Sequence, residues 1–171
     1  LSAISPNTKL IAITHMSNVL GSIVDVKTIC RSHLTKNIPV LIDGSQAAVH
    51  MKVNVKEIGC DFYAITGHKL YGPSGSGAVY IAKTRMDEMT PFMGGGAMIS
   101  EVKRDEVIFN SGPHKFEAGT PGIVEMIALG TAIDFVQNIG FENIQKHEQG
   151  LTNYAIEELN KLSWLATQGN D

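Results

Sequence analysis

The stretch Thr66-Gly67-His68-Lys69-Leu70-Tyr71-Gly72-Pro73 decides the reading of this chain. It closes an apolar run of strand length, residues 60–66, and leads into the glycine-rich turn Gly72-Pro73-Ser74-Gly75-Ser76-Gly77. A second apolar run, residues 77–82, follows so soon that it reads as an antiparallel neighbour of the first. Upstream, residues 10–14 and 39–43 read as two more buried strands. Between them Asp25 opens a helix, with Val26, Ile29, Cys30 and Leu34 at helical spacing. Continuous apolar strands separated by helical stretches predict an α/β fold, a three-layer arrangement with a mainly parallel sheet flanked by helices.

Downstream the pattern changes. Residues 91–122 carry Gly94-Gly95-Gly96 and Gly119-Thr120-Pro121 among mixed charges, and read as a long functional loop region with room for a small hairpin. Residues 123–138 form a strongly apolar helix through Met126, Ile127, Leu129, Ile133 and Val136. Residues 141–162 form a longer amphipathic one, and Gly140 separates the two.

The 171 residues suffice for one domain of ordinary size, and 43% hydrophobic against 18% charged residues fits a globular core. A net charge of −3 without a long basic run argues against nucleic acid as a partner. No uninterrupted apolar stretch of about 18 residues predicts a transmembrane helix, and the N-terminus has no signal-peptide pattern. Two distant cysteines, Cys30 and Cys60, suit a reducing compartment, the cytoplasm or a plastid or other organelle stroma. The chain opens on Leu1 and closes on Gly169-Asn170-Asp171, which reads as a fragment of something longer.

Lys69 is the first candidate for chemistry. In isolation it would be a surface lysine in a turn. Here it follows a buried strand and is flanked by small residues, which let a flat ligand approach the backbone. An amine in such a cleft loses solvation, which favours its neutral, nucleophilic form. Asp43 ends another strand, at the edge where ligands bind in open α/β sheets. The plain alternative for Asp43 is a helix N-cap. An amine that can hold an aldehyde and an acid that can keep a pyridine nitrogen charged are the two groups pyridoxal 5'-phosphate requires. Gln46, one helical turn on, could bond the ring's phenolic oxygen, or could merely face solvent. Thr66 and His68 bracket the lysine with a hydroxyl and an imidazole suited to phosphate. His15 and Asn18 follow the first strand at the same edge, so Asn18 is a further candidate contact. Gly119-Thr120 offers N–H groups and a hydroxyl to phosphate, or else a simple helix start with Thr120 as N-cap and Pro121 at the first helical position. No metal-ligand spacing is present, and Cys30 and Cys60 read as core residues.

The motifs Thr14-His15-Met16-Ser17-Asn18-Val19-Leu20-Gly21, Asp43-Gly44-Ser45-Gln46-Ala47, Thr66 through Gly75, Gly94-Gly95-Gly96-Ala97-Met98-Ile99 and Phe116-Glu117-Ala118-Gly119-Thr120-Pro121 occur in this order. In this the chain resembles the Suf-type cysteine desulfurases of the class V aminotransferase family. These are pyridoxal-phosphate enzymes of fold type I. The resemblance implies that residues 1–165 are a partial cofactor-binding large domain and that 166–171 start a linker to a C-terminal domain. It implies that Lys69 is the catalytic residue and forms the Schiff base, that Asp43 pairs with the pyridine nitrogen and Gln46 with the phenolic oxygen. Thr66 and His68 would bind phosphate, with Thr66 standing where the family often has serine. Asn18 would touch the cofactor or the substrate carboxylate, and Thr120 would serve the phosphate of the other subunit in a homodimer. The implied activity takes L-cysteine, or selenocysteine, and passes sulfur as a persulfide to an acceptor protein for iron–sulfur cluster assembly. The family's ring-stacking histidine and its sulfur-accepting cysteine have no counterpart in these 171 residues, which implies a piece inactive alone. Three other readings are a related class V enzyme such as a selenocysteine lyase, a truncated non-catalytic module, and a nucleotide-binding domain using the Gly72–Gly77 turn. The last needs a helix after that turn, where a strand is expected.

Overall fold

The computed structural model describes residues 2–32 and 35–166. Four strands form one sheet in the order β1 (Ile11–Thr14), β2 (Val40–Asp43), β3 (Phe62–Thr66), β4 (Gly77–Ile81). β1 and β2 are parallel, as are β2 and β3, while β4 runs antiparallel to β3 with Thr66 opposite Gly77. The short connection through residues 67–76 permits only that antiparallel return, as the sequence predicts.

The crossovers carry α1 (Val26–Arg31) between β1 and β2, then α2 (Ala47–His50) and α3 (Val55–Ile58) between β2 and β3. Each has a local cause. The Asp25 carboxylate accepts the Thr28 N–H at 3.0 Å and starts α1. The Asn54 side chain accepts from Lys56 and Glu57 to start α3, and Gly59, at φ 79°, ends it. Leu34, expected to continue the apolar face of α1, lies outside the described residues, as does the expected linker beyond Ala166.

Along β2 the alternate residues Val40 and Ile42 are buried with Val26, Ile58, Cys60 and Tyr63 in one core cluster. A second cluster joins Val49 of α2, Leu70 of the post-β3 turn, and Leu129 and Val136 of α5 (Ile123–Ile139). α5 and α6 (Phe141–Leu159) meet at Gly140 with a bend of 74°. Among the described residues no single helix is long and apolar enough to cross a membrane. Between the sheet and α5 come α4 (Lys83–Glu88) and the hairpin β5 (Ile99–Val102)–β6 (Val107–Phe109), which is the small hairpin expected in the loop region. α5 begins at Ile123, as the apolar pattern of residues 123–138 predicts, and the alternative helix start at residue 120 is corrected. Gly122, not Thr120, occupies the cap position of α5, so Pro121 lies before the helix rather than in its first turn.

Candidate active site

Thr14, Asp43 and Thr66 are the last residues of three adjacent strands, so the sheet brings them to one edge. The ladder continues one step past the strands. His15 N–H donates to the Asp43 carbonyl at 2.9 Å, and Gly44 N–H donates to the Ala64 carbonyl at 2.9 Å. These bonds fix the Asp43 backbone between its two neighbours just where its side chain leaves the sheet.

The Asp43 carboxylate accepts the Ser45 N–H at 3.0 Å. That contact first, and the Ser45 side chain second, hold the Asp43 carboxyl below its ordinary pKa. Partial burial works against the shift, and the positive charge of Lys69 adds to it through space. Asp43, exposed at the end of β2, thus uses its carboxylate in a local turn through Ser45 and not to cap α2, whose cap position is Gln46. The structure brings Asp43 and Lys69 into each other's field.

Lys69 closes a single 3₁₀ turn, Gly67–Lys69, directly after β3. His68 and Lys69 are exposed and Leu70 is buried. The loop is tied at its base: Gly67 N–H donates to the Ser76 carbonyl and Gly72 N–H to the Gly67 carbonyl, each at 2.8 Å. The buried Ser76 hydroxyl donates to the Pro73 carbonyl at 2.8 Å. A Cβ on Gly67 would lie 1.9 Å from Ser76 Oγ, so only glycine lets the two arms close. Thr66 Oγ1 and His68 Nδ1 lie 2.9 Å apart, joining the two residues expected at a phosphate.

Gln46 is half-buried, its Nε2 lying 2.9 Å from His50 Nε2, so it does not simply face solvent. Asn18 is exposed in the turn that Ser17 Oγ organises by accepting from Val19 and Leu20. Among the described residues no hydrogen bond joins Asn18 to the strand-end groups. Thr120 is exposed on another loop. Gly119 N–H donates to the Gly96 carbonyl at 2.9 Å, and a Cβ on Gly95 would come within 3.1 Å of Ala118 Cβ. Two motifs distant in sequence are therefore one structural unit, but among the described residues no hydrogen bond links that unit to Lys69.

Sequence reasoning did not find the support beneath the site. His15 is buried, with Nδ1 2.8 Å from the Tyr63 hydroxyl. Burial pushes the His15 imidazole below its ordinary pKa and the Tyr63 phenol above its own. Gly44 admits the Tyr63 ring so closely that an added Cβ would be 2.0 Å from Cε1. Cys30, pushed up to about 11 chiefly by burial, and Cys60, also raised by burial, stay protonated at neutral pH, in line with their reading as core residues.

The donor set can be tested against pyridoxal phosphate. It provides an ionised carboxylate, an exposed amine in that carboxylate's field, an amide and a hydroxyl–imidazole pair, all within or directly after the same strand ends. These match, group for group, a protonated ring nitrogen, an aldehyde, a phenolic oxygen and a phosphate. Two large grooves lie elsewhere, on apolar flanks of the sheet.

Comparison with known proteins agrees with this architecture. Residues 1–171 match the family model for class V aminotransferases. A protein named "Probable cysteine desulfurase" from Xylella fastidiosa is 49% identical over 165 residues, which are 96% of this chain and 40% of that protein. The crystal structure of the cysteine desulfurase CsdA from Escherichia coli superposes with a TM-score of 0.87 at 35% identity, over 94% of this chain and 40% of that one. The cysteine desulfurase from Thermococcus onnurineus does so with a TM-score of 0.84 at 36% identity, over 90% and 38%. The chain thus spans about 40% of the length of the curated relatives it matches. With its parallel strand ends, its lysine turn and a family match along its whole length, the chain belongs to the class V aminotransferases.

Proposed function

We propose that this chain is the cofactor-holding part of a pyridoxal-phosphate-dependent cysteine desulfurase of the Suf type. The observation that carries the reading is an ionised Asp43 at one strand end that feels the charge of Lys69, in the turn directly after the neighbouring strand. Pyridoxal phosphate, when bound, supplies an aldehyde and an electron-poor ring. Lys69 Nζ would hold the aldehyde carbon and would move the substrate's α-proton as general base. Asp43 would face the ring N–H, and its depressed pKa keeps it charged for that task at neutral pH. Gln46 would donate to the phenolic oxygen. Thr66 and His68 would bind phosphate. Asn18 would reach the cofactor or the substrate carboxylate, and Thr120 the phosphate held by the other subunit of a homodimer.

The substrate is L-cysteine, in keeping with the names of the relatives. The products are alanine and a persulfide handed to an acceptor protein for iron–sulfur cluster assembly. The thiol that takes sulfur would lie outside this chain, because Cys30 on α1 and the buried Cys60 both pack into the core cluster and not at the strand-end site. By itself the chain therefore does not turn over cysteine.

The test is borohydride reduction of the full-length protein with pyridoxal phosphate, followed by peptide mass mapping. A pyridoxyl group on Lys69, lost in Lys69→Ala, is the expected result. Label scattered over surface lysines, or absent, would overturn the reading.

A further inference from the structure

Gln46 does not stand alone. Its Nε2 meets His50 Nε2 at 2.9 Å, and His50 Nδ1 meets Glu148 Oε1 at 2.8 Å. Glu148 comes from α6, 98 residues further along the chain than His50. The three side chains make a relay from α6 through α2 to the strand-end site. The His50 and Glu148 side chains are only 28% and 37% exposed, so the contact is shielded in part from competing water.

The relay has a direction. An ionised carboxylate only accepts, so His50 Nδ1 must carry the proton that Glu148 receives. The Gln46 amide nitrogen, a donor only, lies 2.9 Å from His50 Nε2, which matches the tautomer that leaves a bare lone pair there. Gln46 must meet that lone pair with an N–H. An amide turned the other way would set Oε1 against the lone pair, two acceptors face to face. Gln46 is thereby held with its nitrogen toward His50, keeping a second N–H for a ligand oxygen. A free glutamine would sample both orientations, and only one of them donates.

We infer that His50 and Glu148 are positioning residues that fix the Gln46 amide as a donor toward the cofactor's phenolic oxygen. This rests on the reading of Gln46 as a cofactor contact. Gln46 makes no side-chain bond that caps α2, so the relay is what orients it. A mere tether between α2 and α6 would need the His50–Glu148 contact but not the one to Gln46.

The experiment uses the full-length holoenzyme. Lys69 labelling by borohydride is done first, on the parent and each variant. The pH midpoint of the bound cofactor's absorbance change is then measured for Gln46→Ala, His50→Ala, Glu148→Ala and the double variant Gln46→Ala/His50→Ala. Loss of one ordinary hydrogen bond to the phenolic oxygen corresponds to a shift of about half to one pH unit. His50→Ala and Glu148→Ala are expected to move the midpoint in the direction of Gln46→Ala, and the double variant to move it no further than Gln46→Ala alone. Midpoints unchanged in both single variants, with Lys69 still labelled and only the melting temperature lowered, would overturn the inference and leave the cofactor reading standing. So would additive shifts in the double variant. Absence of label in the parent would bring down both. Should His50→Ala fail to fold, Glu148→Ala on the surface of α6 tests the same relay from its far end.

Discussion

Asp43 and its immediate neighbours carry most of the consequences at the scale of single residues. The carboxyl is held below its ordinary pKa, so it is ionised through neutral and mildly acid pH. Asp43→Asn removes the charge with little change of shape. Losing a charge-assisted hydrogen bond is worth about 1.5–3 kcal/mol, or roughly 10- to 150-fold in turnover of cysteine by the full-length enzyme. An unimpaired Asp43→Asn enzyme in an alanine-release assay would contradict the pairing. Gly44 makes a second case, since a methyl there would run into the Tyr63 ring. Gly44→Ala is expected to destabilise the full-length protein by about 1–3 kcal/mol, read from its urea midpoint. His15 gives a pH dependence. Its pKa is lowered by burial, so its contribution to stability is complete above the unfolded value of about 6.5 and is lost as pH falls through the lower folded value. Denaturation midpoints should therefore fall as the pH is lowered from above that unfolded value into the acid range, and His15→Leu should narrow the difference.

The elements were legible in the sequence to different degrees. Residues 60–66 and 77–82 announced their pairing through run length and a short glycine-rich connection, and the structure has it antiparallel. The break at Gly140 was legible because glycine separates two helical patterns. The start of α5 at Ile123 was legible from its apolar spacing, although Thr120 and Pro121 mimic a cap that the helix does not use. At the site, Lys69 and Asp43 could be found because strand ends and small residues are local signals. The Tyr63–His15 support and the Glu148 contact could not, because they join positions 48 and 98 residues apart. Leu70 links these levels. It is 7% exposed and packs with Val49, Leu129 and Val136, so it pins the lysine turn to two helices. Leu70→Ala is expected to cost about 2–5 kcal/mol and to speed amide exchange in residues 67–72, measured by hydrogen–deuterium exchange with mass spectrometry. Unchanged exchange there would mean that the turn is held by its own hydrogen bonds.

The whole molecule leaves much apolar surface in the open. A groove of about 960 Å³ is lined by Leu10, Leu41, Phe62, Ile81, Met86 and Phe116 among others. Val124, Ile127 and Phe135 of α5 are more than half exposed. Exposed apolar faces of this kind mark surfaces that associate or aggregate. The chain expressed by itself is expected to bind a hydrophobic dye strongly and to self-associate in size-exclusion chromatography with light scattering. A dye-free monomer would show that these faces are tolerated in water. The sheet has a different consequence. Its spatial order, β1-β2-β3-β4, is also its order along the chain. Among the described residues no strand of this sheet has to be slipped between two that are already paired, and each new one finds its template waiting at an edge. A chain emerging from the ribosome N-terminus first can therefore lay these strands down in the order they are made, with Asp43 in place before the lysine turn has been synthesised.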